Sequence, residues 1–573
     1  MSTDLERPSA RIFRLLPLLG VVGITLRLYW NLAKATDLTL ADEATYLSAG
    51  SRFLYHGVLP PFQYLPLYAA WYAAHLAVFR DPIAAYYAQL YAVVVLTAIL
   101  TYVYLRQIAV STLLAFLASI LWIAQPAYIK FDWTIGWPRP YHFAFLLFLA
   151  GAVAIRGLKL DYPVPLVLAG ASFLLVATAV RDEYFVALLF FVGLVAVSSR
   201  FRSRQLLPAG RRAYLWPVCL FAAAATLTTA IYLKGRAPAE TGFLAKGRLW
   251  FNFGQNFSAY QLAKSNPGGK LNPWDDWDLI VSQTFPRAHS VLGAAFANPR
   301  AFLGFELHNL ITAPLIIGWY LTKPPYFPLK VSVLYLALIW LSFITLTSVS
   351  VRRRALSTSA SALGPYVLSG AAVAIPCTLI TPKIAYFLPL LFVLFAGAVK
   401  WFSIVLESDP GLSKSVVALS AVMLSLAFVV MRSPFDNGNG AGKPVYLETI
   451  EIRSILERQR VGGARILQIG GTGYSAYLPH GLSETADPYD RLDTEHFWDF
   501  VQRAHIEAIL VDDRLRSNRR FRDDSDFASL LGSPQQFGWI AAPVGTRGDV
   551  FCLRDRGQNS VGQRDQGAAK SKR

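Results

Sequence analysis

Thr36-Asp-Leu-Thr-Leu-Ala-Asp42-Glu43-Ala-Thr-Tyr46-Leu-Ser-Ala-Gly50 follows the first long apolar run, Ile12 to Trp30, and sets two adjacent acids beside the membrane surface that such a run implies. Charge at the edge of hydrocarbon is costly, so acids there face a protein interior or a watery cavity and count as a functional-site hypothesis. The competing reading is a helix N-terminus, where Asp and Glu complement the helix dipole and cap the first turn. The capping reading puts a helix start at Asp42-Glu43, and the site reading gives the two acids work at the membrane edge.

Composition supports that setting. The chain has 573 residues, of which 54% are hydrophobic and 14% aromatic, and its mean hydropathy is +0.39. This is the balance of a polytopic α-helical membrane protein. Residues 1–431 hold 34 Lys and Arg against 17 Asp and Glu, while residues 432–573 hold 20 against 19. The basic excess therefore sits in short loops between apolar runs. No single basic face is formed, and nucleic acid is excluded as a partner. Cys219, Cys377 and Cys552 lie too far apart to suggest a disulfide framework or a metal site. Arg7, Arg11 and Arg14 precede the first run, and Ala33-Lys-Ala35 is similar to a signal-peptidase site. The run is long enough to span, and more follow, so it reads as a retained helix.

Leu65 to Phe79 is short and rich in Tyr and Trp, which predicts an interfacial helix. Residues 31–81 then form one non-cytoplasmic loop. Crossings are expected at 82–105, 108–129, 141–157, 163–180, 184–199 and 214–233. This places the Arg200 to Arg212 cluster, Arg156 and Lys159 in the cytoplasm. It places Lys130 to Pro140, Arg181-Asp182-Glu183 and the long loop 234–308 on the far side, so the acid clusters share the face of Asp42-Glu43. The long loop holds Trp250 to Phe257 and Pro273-Trp274-Asp275-Asp276-Trp277-Asp278, too aromatic for a solvated linker, and reads as a partly ordered flap on the bilayer. Residues 311–322 are apolar but short and read as re-entrant, with 331–349, a segment ahead of Thr381, 385–402 and 415–431 spanning. The expected total is about 11 transmembrane helices, with 12 or 13 as alternatives.

After a Gly/Asn/Pro linker from Pro434 to Pro444 the chain changes character. More than half of the acids lie beyond Met431, and residues 432–556 read as a soluble α/β domain. Arg465 to Ile469 and Ala508 to Asp512 have the pattern of buried strands, with helices near 446–459 and 494–505. Gly470-Gly-Thr-Gly473 follows the first strand, but its spacing is not the complete nucleotide-binding fingerprint, and a plain tight turn accounts for it. Residues 557–573 are polar and basic and read as a disordered tail.

Several motifs fall in a telling order: Asp42-Glu43-Ala-Thr-Tyr46, Leu65-Pro66-Leu67-Tyr68-Ala-Ala-Trp71, Trp137-Pro138-Arg139-Pro140-Tyr141, Arg181-Asp182-Glu183, and Thr381-Pro382-Lys383-Ile-Ala-Tyr386-Phe-Leu-Pro389. The order, over roughly residues 10–430, resembles the GT-C superfamily of polyprenyl-phosphate-sugar-dependent glycosyltransferases, especially the bacterial branch related to protein O-mannosyltransferases and lipid A aminoarabinose transferases. The resemblance implies a GT-C-like membrane domain at 1–431 in a bacterial inner membrane, with the site and the C-terminal domain on the extracytoplasmic side. It implies a polyprenyl-phosphate-linked sugar as donor, a glycan, lipid or protein as acceptor, and Asp42 as the catalytic acid of the first loop. Glu43, about 100° away on a helix, takes a supporting role. Tyr46, Arg139, Tyr141, Arg181, Asp182, Glu183, Lys383 and Tyr386 are the candidate substrate-binding residues. Part of the family holds a divalent metal, for which Glu43 and His289 are the available ligands, although a lone loop His is more often merely exposed. Some members carry an acid directly ahead of the span after the second loop; here Tyr141 stands there, and the nearest acid is Asp132.

The chemistry can be stated independently. An acceptor hydroxyl is a poor nucleophile near neutral pH, so one carboxylate must take its proton as the glycosidic bond breaks. The lipid phosphate leaves as an anion, so it needs cations and no second acid, unlike the carboxylate pair of glycoside hydrolases. Arg139, Arg181 and Lys383 are the cations available to it, with interfacial snorkelling as the alternative use of each. Two other classes stay open: a lipid-linked substrate transporter or flippase, for which paired Gly/Pro-broken repeats are expected and none is visible, and a non-catalytic membrane scaffold, which leaves the gathered acids unexplained.

Overall fold

The computed structural model describes residues 8–30, 43–60, 65–124, 140–158, 163–202, 212–234, 248–265, 271–274, 276–322, 358, 361–380, 382, 384–408, 446–458, 464–468, 483–486, 491–492, 494–544 and 549–555. Helices dominate it. In chain order they are α1 (Pro8–Leu28), α2 (Glu43–His56), α3 (Pro66–Phe79), α4 (Pro82–Gln107), α5 (Thr112–Ile123), α6 (Pro140–Gly157), α7 (Pro163–Thr178), α8 (Tyr184–Arg202), α9 (Arg212–Lys234), α10 (Arg248–Ser265), α11 (Trp277–Thr284), α12 (Val291–Ala297) and α13 (Pro299–Thr322). They continue with α14 (Ser361–Ile380) and, after a 3-10 turn at Ile384–Phe387, α15 (Leu388–Ser408).

Proline punctuates these starts. α3, α4, α6, α7 and α13 all open on Pro, whose missing N–H falls where a helix has no intrahelical partner for it. At α4 the Asp81 side chain also accepts from the Ala84 amide at 2.8 Å, an N-cap of the ordinary kind. Among the described residues, five helices are long and apolar enough to cross a membrane: Pro82–Gln107, Pro140–Gly157, Pro299–Gly318, Ser361–Ile380 and Ala385–Ile404. Shorter apolar helices fall at Leu16–Leu28, Thr112–Ile123, Pro163–Thr178, Tyr184–Ser198 and Leu215–Ile231.

The sequence reading needs one revision here. Residues 311–322 are not a separate short piece but the second half of α13, which runs unbroken for 24 residues through Pro314. Glu306, His308 and Asn309 lower the hydropathy of its first half and disguise the helix in the sequence. Glu306 and Asn309 are buried within the protein, where their polarity does not meet lipid. The spans expected at 331–349 and 415–431 lie outside the described residues.

The membrane core joins α1 to α8 with α14 and α15, and aromatic rings fill much of it. Polar ties fix the packing where apolar contact has no preferred register. Trp71 Nε1 donates to Gln89 Oε1 at 3.3 Å, and Gln89 Nε2 donates to the Tyr72 hydroxyl at 3.1 Å. Tyr104 donates to the Leu363 carbonyl at 3.1 Å and ties α4 to α14. Such bonds are each worth about 0.6 kcal/mol in a membrane and set orientation more than stability. α2 lies against α3 through Gly50: a Cβ there would stand 2.6 Å from Tyr72 Cβ and 2.9 Å from the Ala69 carbonyl oxygen.

The stretch predicted to be a flap has its own core. Trp250, Phe253 and Phe257 lie on one face of α10 at helical spacing and pack on Trp277, Phe285 and Phe305. Trp277 occupies the room that Gly254 leaves by lacking a Cβ. The C-terminal part holds α16 (Tyr446–Arg458), β1 (Ala464–Leu467), β2 (Ser483–Ala486), α17 (Phe497–Arg503), β3 (Ala508–Val511), α18 (Asp513–Ser517), α19 (Ser525–Gly532), β4 (Trp539–Val544) and β5 (Asp549–Arg554). Its sheet has the order β2-β1-β3-β5-β4, with β1 parallel to β2 and β3, and β5 antiparallel to β3 and β4. Alternate residues serve opposite faces: Leu467, Ile509, Val511 and Cys552 join one core, and Ile466, Ala508, Leu510 and Phe551 the other.

Arg519 joins this part to the segment that opens α11. Its Nη2 donates to Asp278 Oδ2 at 2.8 Å, and its Nε lies 3.6 Å from Asp276 Oδ1. A looser exposed pair, Arg453 with Asp81 at 3.9 Å, links α16 to the start of α4.

Candidate functional site

The turn between α7 and α8 is built by its backbone: Arg181 N donates to Ala177 O at 2.8 Å, and Tyr184 N donates to Arg181 O at 3.1 Å. This folds Arg181 and Glu183 back onto the bundle while Asp182 stays exposed. Arg181 is only 9% exposed. Its Nε donates to Glu183 Oε2 at 3.0 Å and its Nη2 to Glu183 Oε1. The guanidinium carbon stands 4.5 Å from the ring centre of Tyr141, at the start of α6, and 5.4 Å from that of Tyr386, in the turn before α15. The two rings are 4.5 Å apart, and the Tyr141 hydroxyl donates to that of Tyr386 at 3.1 Å.

A buried arginine needs such surroundings. Burial pulls its pKa down, but Glu183 and the two tyrosines outweigh that and hold the guanidinium further above its ordinary value. The charge is thus secured by one carboxylate and two ring faces, an arrangement that suits the flat, weakly hydrated guanidinium and not a lysine. Glu183 takes Nε and Nη2, so Nη1 is the nitrogen that makes no hydrogen bond among the described residues. Tyr141, Arg181, Glu183, Tyr184, Val373, Cys377, Ala385, Tyr386 and Pro389 line a tight cleft with free space for about one water molecule. A buried cation walled by aromatic and apolar side chains has the chemistry to attract an anionic group attached to an apolar tail.

Of the residues singled out in the sequence, the fold brings four together: Tyr141, Arg181, Glu183 and Tyr386, from three separate spans. Tyr46 lies elsewhere. It is buried edge-on against Tyr68, ring centres 5.3 Å apart, and Tyr68 packs 5.6 Å from Phe143, two residues beyond Tyr141 on α6. Tyr46 therefore belongs to the wall joining α2, α3 and α6, and it does not line the cleft. Asp42, Arg139 and Lys383 lie outside the described residues, and of Glu43 only the backbone is described, as the first residue of α2. His289 is exposed in the turn before α12, and no group of three metal-ligating side chains occurs among the described residues. Cys377 was not singled out. It lines the cleft beside Tyr386, and an isolated Cys within an apolar span carries no signal in sequence.

Comparison with known proteins adds little. No family model and no curated protein matches the chain. Two crystal structures of the Archaeoglobus fulgidus oligosaccharyltransferase can be superposed on it, both at 12% identity. The apo form gives a TM-score of 0.42 over 89% of this chain and 71% of its own; the complex with Zn and sulfate gives 0.41 over 93% and 72%. The functional reading is carried by the residues of this chain.

Proposed function

We propose that this protein is an integral-membrane glycosyltransferase of the GT-C type, which moves a sugar from a polyprenyl-phosphate-linked donor to an acceptor hydroxyl. The observation that carries the reading is the cleft itself: motifs as far apart as Tyr141 and Tyr386 converge on one buried arginine between spans. The leaving group of such a donor is an anion on a hydrocarbon tail. Arg181 supplies the charge for its phosphate and, through Nη1, a donor, and Val373, Ala385 and Pro389 supply apolar surface.

In the proposed reaction Asp42 takes the proton of the acceptor hydroxyl as its oxygen bonds to the anomeric carbon. The bond from that carbon to the phosphate oxygen breaks, and the electron pair leaves with the lipid phosphate, which stays unprotonated. Arg139 and Lys383 are the further cations assigned to that phosphate. At an effective dielectric of 20, one charge pair about 4 Å apart contributes roughly 4 kcal/mol as an upper value.

The ion pairs of Arg519 with Asp278 and of Arg453 with Asp81 support a C-terminal domain on the side of the flap and the first loop. That side is proposed as the extracytoplasmic face of a bacterial inner membrane. The parity it demands is an even number of crossings between flap and tail. The count of eleven meets this with 331–349, 361–380, 385–402 and 415–431. If α13 also crosses, one of the two spans outside the described residues does not.

The test is transfer by the purified protein in lipid nanodiscs, supplied with a polyprenyl-phosphate sugar and an acceptor extract. Release of polyprenyl phosphate together with a glycosylated product supports the reading. Movement of the intact lipid-linked sugar between leaflets, without cleavage, shows a flippase instead.

A further inference from the structure

α13 has two unlike faces. Leu303, Leu307, Leu310, Ile311 and Leu315 are exposed along one side at helical spacing, the surface a span offers to lipid. Glu306 and Asn309 stand on the other side, 7% and 2% exposed. Neither carboxylate oxygen of Glu306 has a hydrogen-bond partner among the described residues. This sets it apart from Glu183, which spends both oxygens on Arg181. A carboxyl group stripped of water and left unpartnered is strongly unfavourable, so a polar partner is expected for it.

Its neighbour is polar too. Asn309, one turn on, donates from Nδ2 to the carbonyl of Ile380, the last residue of α14, over a long 3.5 Å. α13 packs on the end of α14 and on the 3-10 turn Ile384–Phe387. That turn carries Tyr386, whose side chain faces Arg181, and Cys377 Sγ reaches the Tyr386 carbonyl from α14 at 3.9 Å. α13, which carries the orphan carboxyl, and the cleft therefore adjoin the same short piece of backbone.

We propose that Glu306 and Asn309 form a subsite that binds hydroxyls of the donor's sugar; the assignment rests on reading the Arg181 cleft as the site of the donor phosphate. A carboxyl and a carboxamide one turn apart offer acceptors and a donor together, and vicinal hydroxyls can satisfy both. A neutral polyol also brings no second charge into the buried setting. A metal ion would need further anionic ligands, and the described residues place none in a group there.

The test measures affinity in nanodiscs, using the full chain with farnesyl phosphate and with farnesyl-phosphate-linked mannose, glucose, arabinose and aminoarabinose. Wild type is expected to bind at least one hydroxyl-bearing sugar donor more tightly than farnesyl phosphate itself. Glu306→Gln is expected to cut that advantage about ten- to hundredfold, the size of hydrogen bonds to a charged group, and Asn309→Ala about two- to tenfold, the size of a neutral one, and both are expected to leave farnesyl phosphate affinity unchanged. Arg181→Gln is expected to do the reverse. A deoxy donor lacking the recognised hydroxyl is expected to bind wild type no better than farnesyl phosphate does, a comparison made on the wild-type protein alone and so independent of how the variants fold. If farnesyl phosphate binds through Arg181 while sugar donors bind both α13 variants as they bind wild type, the subsite is wrong and the cleft reading stands. The absence of any sugar advantage in wild type likewise overturns the subsite alone. A loss in Glu306→Gln confined to aminoarabinose overturns the hydroxyl assignment in favour of an ammonium group. Farnesyl phosphate binding that ignores Arg181→Gln sinks the cleft reading along with the subsite.

Discussion

Arg181→Gln removes a buried cation and strands the carboxylate that neutralised it. The side chains of Arg181 and Glu183 are 10% and 11% exposed, so little solvent screens the loss. Breaking such a pair from one side costs about 3–5 kcal/mol, because the remaining charge is left in a poorly solvated place. Arg181→Gln should therefore unfold markedly earlier than wild type in detergent, as followed by tryptophan fluorescence. The double variant Arg181→Gln with Glu183→Gln removes both charges and should recover most of that stability. Donor use separates the two roles of the arginine. If Arg181 also grips the leaving phosphate, the double variant stays stable yet needs far more donor, since the cation is still missing. Arg181→Lys should fall between, keeping charge but losing the two-nitrogen contact with Glu183 and the stacking on Tyr141. A double variant as unstable as the single would refute the ion-pair reasoning. A stable double variant with normal donor kinetics would remove Arg181 from the phosphate site.

Gly50→Val should loosen α2 from α3, because even the first added carbon meets Tyr72 and Ala69; an overpacking cost of about 1–3 kcal/mol and reduced transfer are expected, read by thermal unfolding and by turnover. Arg519→Ala should open the flap, with faster proteolysis near Asp278 and a cost of about 1–2 kcal/mol for a partly exposed charged hydrogen bond. The C-terminal domain should be sensitive to acid. Burial pushes Asp524 up, but the Phe527 amide and Arg491 more than compensate and hold it below its ordinary value, and Arg503 holds Glu495 low as well. A depressed carboxylate contributes stability above its unfolded pKa, about 4, and loses it as pH falls through the lower folded value. Hydrogen exchange over residues 491–530 of the full chain should therefore quicken, relative to the rest of the domain, only below about pH 4; protection unchanged down to pH 2 would contradict this.

The legible parts of the chain were those with a strong period or a strong boundary. The apolar runs at 82–105, 141–157 and 163–180 announced helices, and those around Ile466 and Leu510 announced buried strands. The cleft was legible for a different reason: charge and aromatic residues recur at the ends of spans, and three spans deliver Tyr141, Arg181 and Tyr386 to one place. A tyrosine one turn from an acid looks the same in sequence whether it faces the cleft or, like Tyr46, packs edge-on against Tyr68. Glu306 was hidden for the opposite reason. Its charge made α13 look like the end of a loop, and only the packing of that helix against α14 turns it inward. The pairing of Arg519 with Asp278 spans 241 residues, and no local pattern carries such a contact.

The central claim is that a carboxylate in the first loop takes the acceptor's proton. Turnover of Asp42→Asn, measured on protein that is monodisperse and still binds donor, tests it most directly. The amide keeps the size of Asp42 and caps a helix about as well, but it cannot accept the proton. A base role predicts turnover lower by about 10²- to 10⁴-fold with donor affinity kept. Near-normal transfer by Asp42→Asn would mean that the acid only starts a helix, and the mechanism proposed for this protein would be wrong.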